Sequence, residues 1–148
     1  MDPELIDRIY ECSFIPELWP GVLAELAGIA EAPGGSLVIA KDGAQYWTAS
    51  PGSHERAEQL VRERWFWRGT LLARATAARH AGFLTVSDLF TPEELAQEPV
   101  FRDFWHPQGF GFPVGTIFST PTGEYVTFVM TRLLDSGPVD RDAVHKLD

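Results

Sequence analysis

Apolar residues recur along this chain with two different periods, and the changes of period mark out the elements. Asp2 and Pro3 have the chemistry of an N-cap followed by the first helical position, and Leu5, Ile6, Ile9 and Tyr10 then fall at helical spacing. Phe14 and Pro16 interrupt that pattern. A second helix is expected from about Glu17 to Ala30, with Trp19, Leu23, Leu26 and Ile29 along one stripe, stopped by Pro33-Gly34-Gly35. The period then shortens to two. Residues 36–41 and 45–50 are short β-branched or aromatic runs joined by Asp42-Gly43, a strong hairpin signal, because a two-residue turn of this kind needs positive φ at both positions.

Helical spacing returns after Pro51-Gly52-Ser53, where Ala57, Leu60, Val61 and Arg64 share one side and lead into Trp65-Phe66-Trp67. Residues 69–80 have helical propensity with weak periodicity, so the pattern alone leaves their state open. Residues 82–86 form a third strand candidate. Thr91-Pro92-Glu93-Glu94 then supplies an N-cap, an N1 proline and a glutamate at N3, the pattern of a capping box. An amphipathic turn from Val100 to His106 stops at Pro107 and Gly109. Residues 113–120 and 124–132 alternate strictly about Pro121-Thr122-Gly123, with Val114, Thr116 and Phe118 on one face of the first strand and Val126, Phe128 and Met130 on one face of the second. From Val139 to Asp148 a last helix opens with Asp140 as its cap, and it stops before a useful amphipathic length, as expected if the domain is a fragment of a longer chain. Two hairpins separated by a helical insert give an α+β domain over residues 1–148, with one five-stranded antiparallel sheet and two N-terminal helices packed outside the insert.

Composition narrows what such a domain does. Its 148 residues suffice for one core, and five Trp and ten Phe put much of the burial into large rings. Twelve basic against twenty-one acidic side chains give a net charge of −9, and a surface of that sign repels phosphate, so the domain alone is not expected to bind nucleic acid. Acid at the first residues and the lack of a long apolar run speak against a signal peptide or membrane span, and the single Cys12 cannot close an internal disulfide. A cytoplasmic protein without membrane contact is expected.

Several phrases, in order, carry a resemblance. They are Ile6-Asp7-Arg8-Ile9-Tyr10-Glu11, Pro16-Glu17-Leu18-Trp19-Pro20, Trp47-Thr48-Ala49-Ser50-Pro51-Gly52 and Arg79-His80-Ala81-Gly82-Phe83-Leu84-Thr85. Leu89-Phe90-Thr91-Pro92-Glu93-Glu94-Leu95, Phe101-Arg102-Asp103-Phe104 and Pro107-Gln108-Gly109-Phe110-Gly111 continue it over nearly the whole chain. Together they resemble the N-terminal region of LuxR-type helix-turn-helix transcription regulators of proteobacteria. The resemblance implies a PAS-like or GAF-like sensory fold with the first strand beside the last, a small-molecule ligand, a twofold homodimer, and a separate DNA-binding output domain. Quorum-sensing members of that family bind acyl-homoserine lactones with a tryptophan and a closely following aspartate. Here Trp65 and Trp67 are followed by Arg68-Gly69-Thr70, without the aspartate.

The ligand site expected from the sequence is an apolar pocket between sheet and helices, drawn from Trp47, Trp65, Trp67, Phe83, Phe101, Trp105, Phe118 and Phe128. Any one of these rings is better explained as packing, and two or three of the group are expected to touch a cavity. His54, His80, His106 and His145 lack metal-ligand spacing, and no cofactor is expected. Gly109-Phe110-Gly111 lies between helix and strand, the wrong context for a phosphate loop, and no nucleophile elbow or catalytic triad is legible. The leading expectation is a sensory input domain rather than an enzyme. A ligand-free dimerisation module with a filled core and a small α+β enzyme with a catalytic acid or base in the pocket remain as alternatives.

Overall fold

The computed structural model describes residues 1–148. Five antiparallel strands, β1 (Gly35–Lys41), β2 (Ala44–Ala49), β3 (Leu84–Thr85), β4 (Phe110–Ser119) and β5 (Tyr125–Leu133), form one sheet in the order β2-β1-β5-β4-β3. The first strand lies beside the last, as the resemblance implies. At the β1–β2 turn Asp42 has φ 50° and Gly43 φ 82°, the two left-handed residues that a tight hairpin demands.

Helices cover both faces. Against the outer face pack α1 (Pro3–Cys12), α2 (Trp19–Ile29) and α7 (Arg141–Leu147), with Leu5, Leu23, Leu26 and Leu147 meeting Leu37, Val114 and Met130. The Asp2 carboxylate accepts from the Glu4 N–H at 2.8 Å and so caps α1. Against the inner face lie α3 (His54–Arg62), the turn Trp65–Trp67, α4 (Leu71–Ala78), α5 (Val86–Leu89), α6 (Pro92–Leu95) and a π-helix, Val100–Trp105. Residues 69–80, open in the sequence, contain α4. Its apolar residues Leu71, Leu72 and Ala75 line a cavity, and Leu71 and Leu72 also pack on the inner cluster. The capping box at α6 is made as expected, with Glu94 N–H to Thr91 Oγ1 at 3.2 Å and Thr91 N–H to Glu94 Oε1 at 3.0 Å, but the helix lasts one turn.

Residues 100–105 wind more widely than the amphipathic α-turn the pattern implies. The π geometry lets four of the six, Val100, Phe101, Phe104 and Trp105, be buried together on the inner face.

Candidate functional site: a divided cavity on the inner face of the sheet

Strand alternation assigns the faces. Across β4 and β5, Gly115 pairs with Val129 and Ile117 with Thr127, while Val114 pairs with Met130 and Thr116 with Phe128. The first set points inward and the second toward α1, α2 and α7. Above the inner set is a partly open apolar cavity of about 60 Å³. Leu71, Leu72 and Ala75 of α4, Val86 and Leu89 of α5, and Phe101 and Trp105 of the π-helix form its roof; Gly115, Ile117, Thr127 and Val129 form its floor. Gly115 and Thr127 are the small members of that floor.

Beyond Trp105 and Val129, which line both spaces, lies a smaller cavity of about 20 Å³. This one is edged with polar groups: Ser36, Ser53, Arg56 and Thr131, with Leu60 and Phe104 beside them. Arg56 also borders a wide polar groove on the surface formed by Pro51, Gly52, His54, Glu55 and Gln108.

The roof is tied down by polar clasps. Glu98 is buried, and its carboxylate accepts from Thr70 N–H at 2.6 Å, Leu71 N–H at 3.0 Å and Thr70 Oγ1 at 2.8 Å, which holds the first turn of α4 to the segment before the π-helix. Gly69 is required there, since it has φ +134° and a Cβ would lie 2.4 Å from Glu98 Oε1. Arg74 of α4 reaches Glu94 at 2.5 Å and the Leu89 carbonyl at 3.0 Å, joining α4, α5 and α6. Its guanidinium, with the Thr91 cap, holds the Glu94 carboxyl down to about 2.

The structure separates the eight rings singled out in the sequence. Phe101 and Trp105 face the cavity, with centroids 5.0 Å apart. Trp47 and Trp65 belong to the same layer without reaching the cavity wall: Trp47 packs on His54 at 5.0 Å and Trp65 stacks on Phe104 at 5.4 Å. Phe128 is among the lining residues, but its ring packs on the outer face 5.7 Å from Trp19. Phe83 is buried in the outer cluster, Phe118 is 49% exposed at the sheet edge, and Trp67 is 47% exposed. The aliphatic roof and the polar residues Arg56, Glu98 and Thr131 were missed. Arg56 carried one usable signal, its place four residues before the buried Leu60 on the same helix side.

No group of three or more His, Cys, Asp or Glu side chains is placed to hold a metal ion, and no helix is long and apolar enough to cross a membrane. An antiparallel sheet in this order, with helices on both faces and a cavity under the inserted ones, is the architecture of PAS-like and GAF-like sensory domains. Solved structures agree. The chain is similar to the N-acylhomoserine lactone dependent LuxR family transcription factor CepR2 from Burkholderia cenocepacia, with 13% identity and TM-score 0.60 over 99% of this chain and 87% of that one. It is also similar to the ligand-binding domain of VqsR from Pseudomonas aeruginosa, with 14% identity and TM-score 0.55 over 87% and 78% of the two chains. A GAF domain/HD domain protein from Geobacter sulfurreducens matches with 17% identity and TM-score 0.50 over 84% and 80%. The chain therefore has the fold of LuxR-type ligand-binding domains and their GAF-like kin. No protein-family model matches the sequence, and no curated protein matches it.

Proposed function

We propose that this chain is the ligand-sensing input domain of a cytoplasmic LuxR-type transcription regulator, that it binds a small, largely apolar molecule in the inner-face cavity, and that it has no catalysis of its own. The observation that carries the reading is the cavity itself. A packed domain leaves few voids larger than a water molecule, yet here about 60 Å³ stays open beneath three short helices that pack on the inner cluster and are fixed by polar clasps.

Signal transmission would run through β5. Val129 forms part of the cavity floor, and three residues on, Arg132 donates to the carbonyls of Ser136 at 2.9 Å and Pro138 at 2.6 Å, fixing the chain that leads into α7. A ligand that shifts β5 thereby changes where α7 begins, and with it the placement of a following helix-turn-helix output domain. Nucleic acid would be bound by that output domain and not by this one, whose net charge is −9. A homodimer is the natural assembly for reading paired half-sites.

Native mass spectrometry tests the reading. The domain purified without denaturant should carry a small-molecule adduct that is absent from the denatured chain. Identical masses in both states, from cells grown on rich medium, would contradict it.

A further inference from the structure

The chain has four partly or fully buried arginines, and three of them are compensated. Arg8 pairs with Glu25, Arg74 pairs with Glu94, and Arg132 meets Glu31 at 3.5 Å and two backbone carbonyls. Arg56 has neither an ion pair nor a carbonyl. Its only polar contact is Nη2 to Ser53 Oγ at 3.2 Å, and its guanidinium lies 3.7 Å from the centroid of the Phe110 ring. Burial pushes its pKa down, with no ion pair to restore it. No acidic side chain makes an ion pair with this cation, although Glu55 lines the same surface groove.

The groups around it share one chemistry. Ser36 and Thr131, on neighbouring inner-face positions of β1 and β5, are buried as residues, and their hydroxyls make no hydrogen bond within the protein while keeping access to the small cavity. Two unpaired hydroxyls, Ser53 Oγ and a guanidinium without a counter-ion thus border the same 20 Å³ space. Hydroxyls and a planar guanidinium form a donor set that suits a carboxylate, which accepts at two oxygens. Next to it, past Trp105 and Val129, begins the apolar cavity.

Resting on the sensory reading above, we infer that the ligand is an amphipathic organic acid, whose carboxylate sits between Arg56, Ser36 and Thr131 and whose apolar body extends past Trp105 under α4 and α5. As they stand, the two spaces hold a carboxylate and a few methylenes, so a longer body seats only by moving the Trp105 indole. Trp105 ends the π-helix, and the ligand therefore acts on the element whose wide winding has the most freedom to tighten. Arg56 also borders the surface groove, which gives the acid a route in from solvent.

The test is a matched set of probes, octanoate, octanamide and N-octanoylhomoserine lactone, titrated by calorimetry into the unmodified chain. Octanoate should bind at least tenfold more tightly than either neutral probe. Arg56→Gln should weaken octanoate at least tenfold, Arg56→Lys should restore part of that loss, and Thr131→Val should weaken it several-fold, with folding of each variant checked by circular dichroism. Neutral probes binding the unmodified chain as tightly as octanoate would overturn the organic-acid inference and leave the sensory reading standing. Absence of octanoate binding would overturn the inference as well, while the adduct measurement judges the sensory reading separately. A variant that fails to fold is replaced in the comparison by the probe ratio of the unmodified chain, which decides alone.

Discussion

Glu94 shows how a single side chain can serve both a local cap and the roof of the site. Its carboxylate closes the Thr91 box and receives Arg74 from α4, and these contacts hold its pKa near 2 against an ordinary value of 4.5. A carboxyl depressed in the folded state contributes stability above its unfolded pKa and loses it as pH falls through the folded value. Glu94→Gln should therefore lower the unfolding midpoint modestly at pH 7, since the pair is exposed, and the difference from the unmodified chain should shrink between pH 4.5 and 2. Denaturant melts across that range check this, and a difference that stays constant with pH would contradict it. The box itself was legible in the sequence because capping depends on four consecutive residues. Glu98 was not, because its partners Thr70 and Leu71 lie twenty-eight and twenty-seven positions away and no local rule brings them together.

At the scale of elements, α1 divides its apolar residues between two surfaces. Leu5 and Cys12 are buried in the outer cluster and Ile9 packs against it, whereas Ile6, Tyr10, Phe14, Ile15 and Leu18 stand 38%, 70%, 87%, 50% and 38% exposed. Helical spacing identifies the stripe but not how much of it the domain uses itself, and the unused part continues into the turn before α2. If the proposed homodimer forms through this patch, Ile6→Asp combined with Phe14→Asp should yield a folded monomer by light scattering at concentrations where the unmodified chain is dimeric. A monomeric unmodified chain, or a dimer that survives both changes, would contradict the assembly. The strands were more legible than the helices. Alternation and turn chemistry located β1, β2, β4 and β5 to within three residues at each end, because a two-residue period leaves little slack. Which face looked toward the insert was not legible: Phe118 and Phe128 share an alternation phase with Val114 and Met130, and that phase faces outward.

For the whole molecule, the order of elements was enough to propose an α+β domain with β1 beside β5, since two hairpins and an insert leave few other ways to bury both faces. The site was only partly legible for a physical reason. Large rings fill space, so a list of rings points to the core, while open space is left by Gly115, Thr127 and Ala75, which carry no strong sequence signal. Phe101 and Trp105 are the two ring side chains of the eight that reach it. Ligand sensing at this site requires an inner-face space that admits a small apolar body. Methyl-resolved NMR of the domain under xenon pressure measures this directly, because xenon enters dry apolar cavities without specific chemistry. Methyls of Leu71, Leu72, Val86, Leu89, Ile117 and Val129 should shift with xenon while those of Leu5, Leu23, Leu26 and Leu147 in the outer layer stay fixed. A set of inner-face methyls that does not respond, or a response centred on the outer layer, would mean a filled inner core and would contradict the ligand-sensing account.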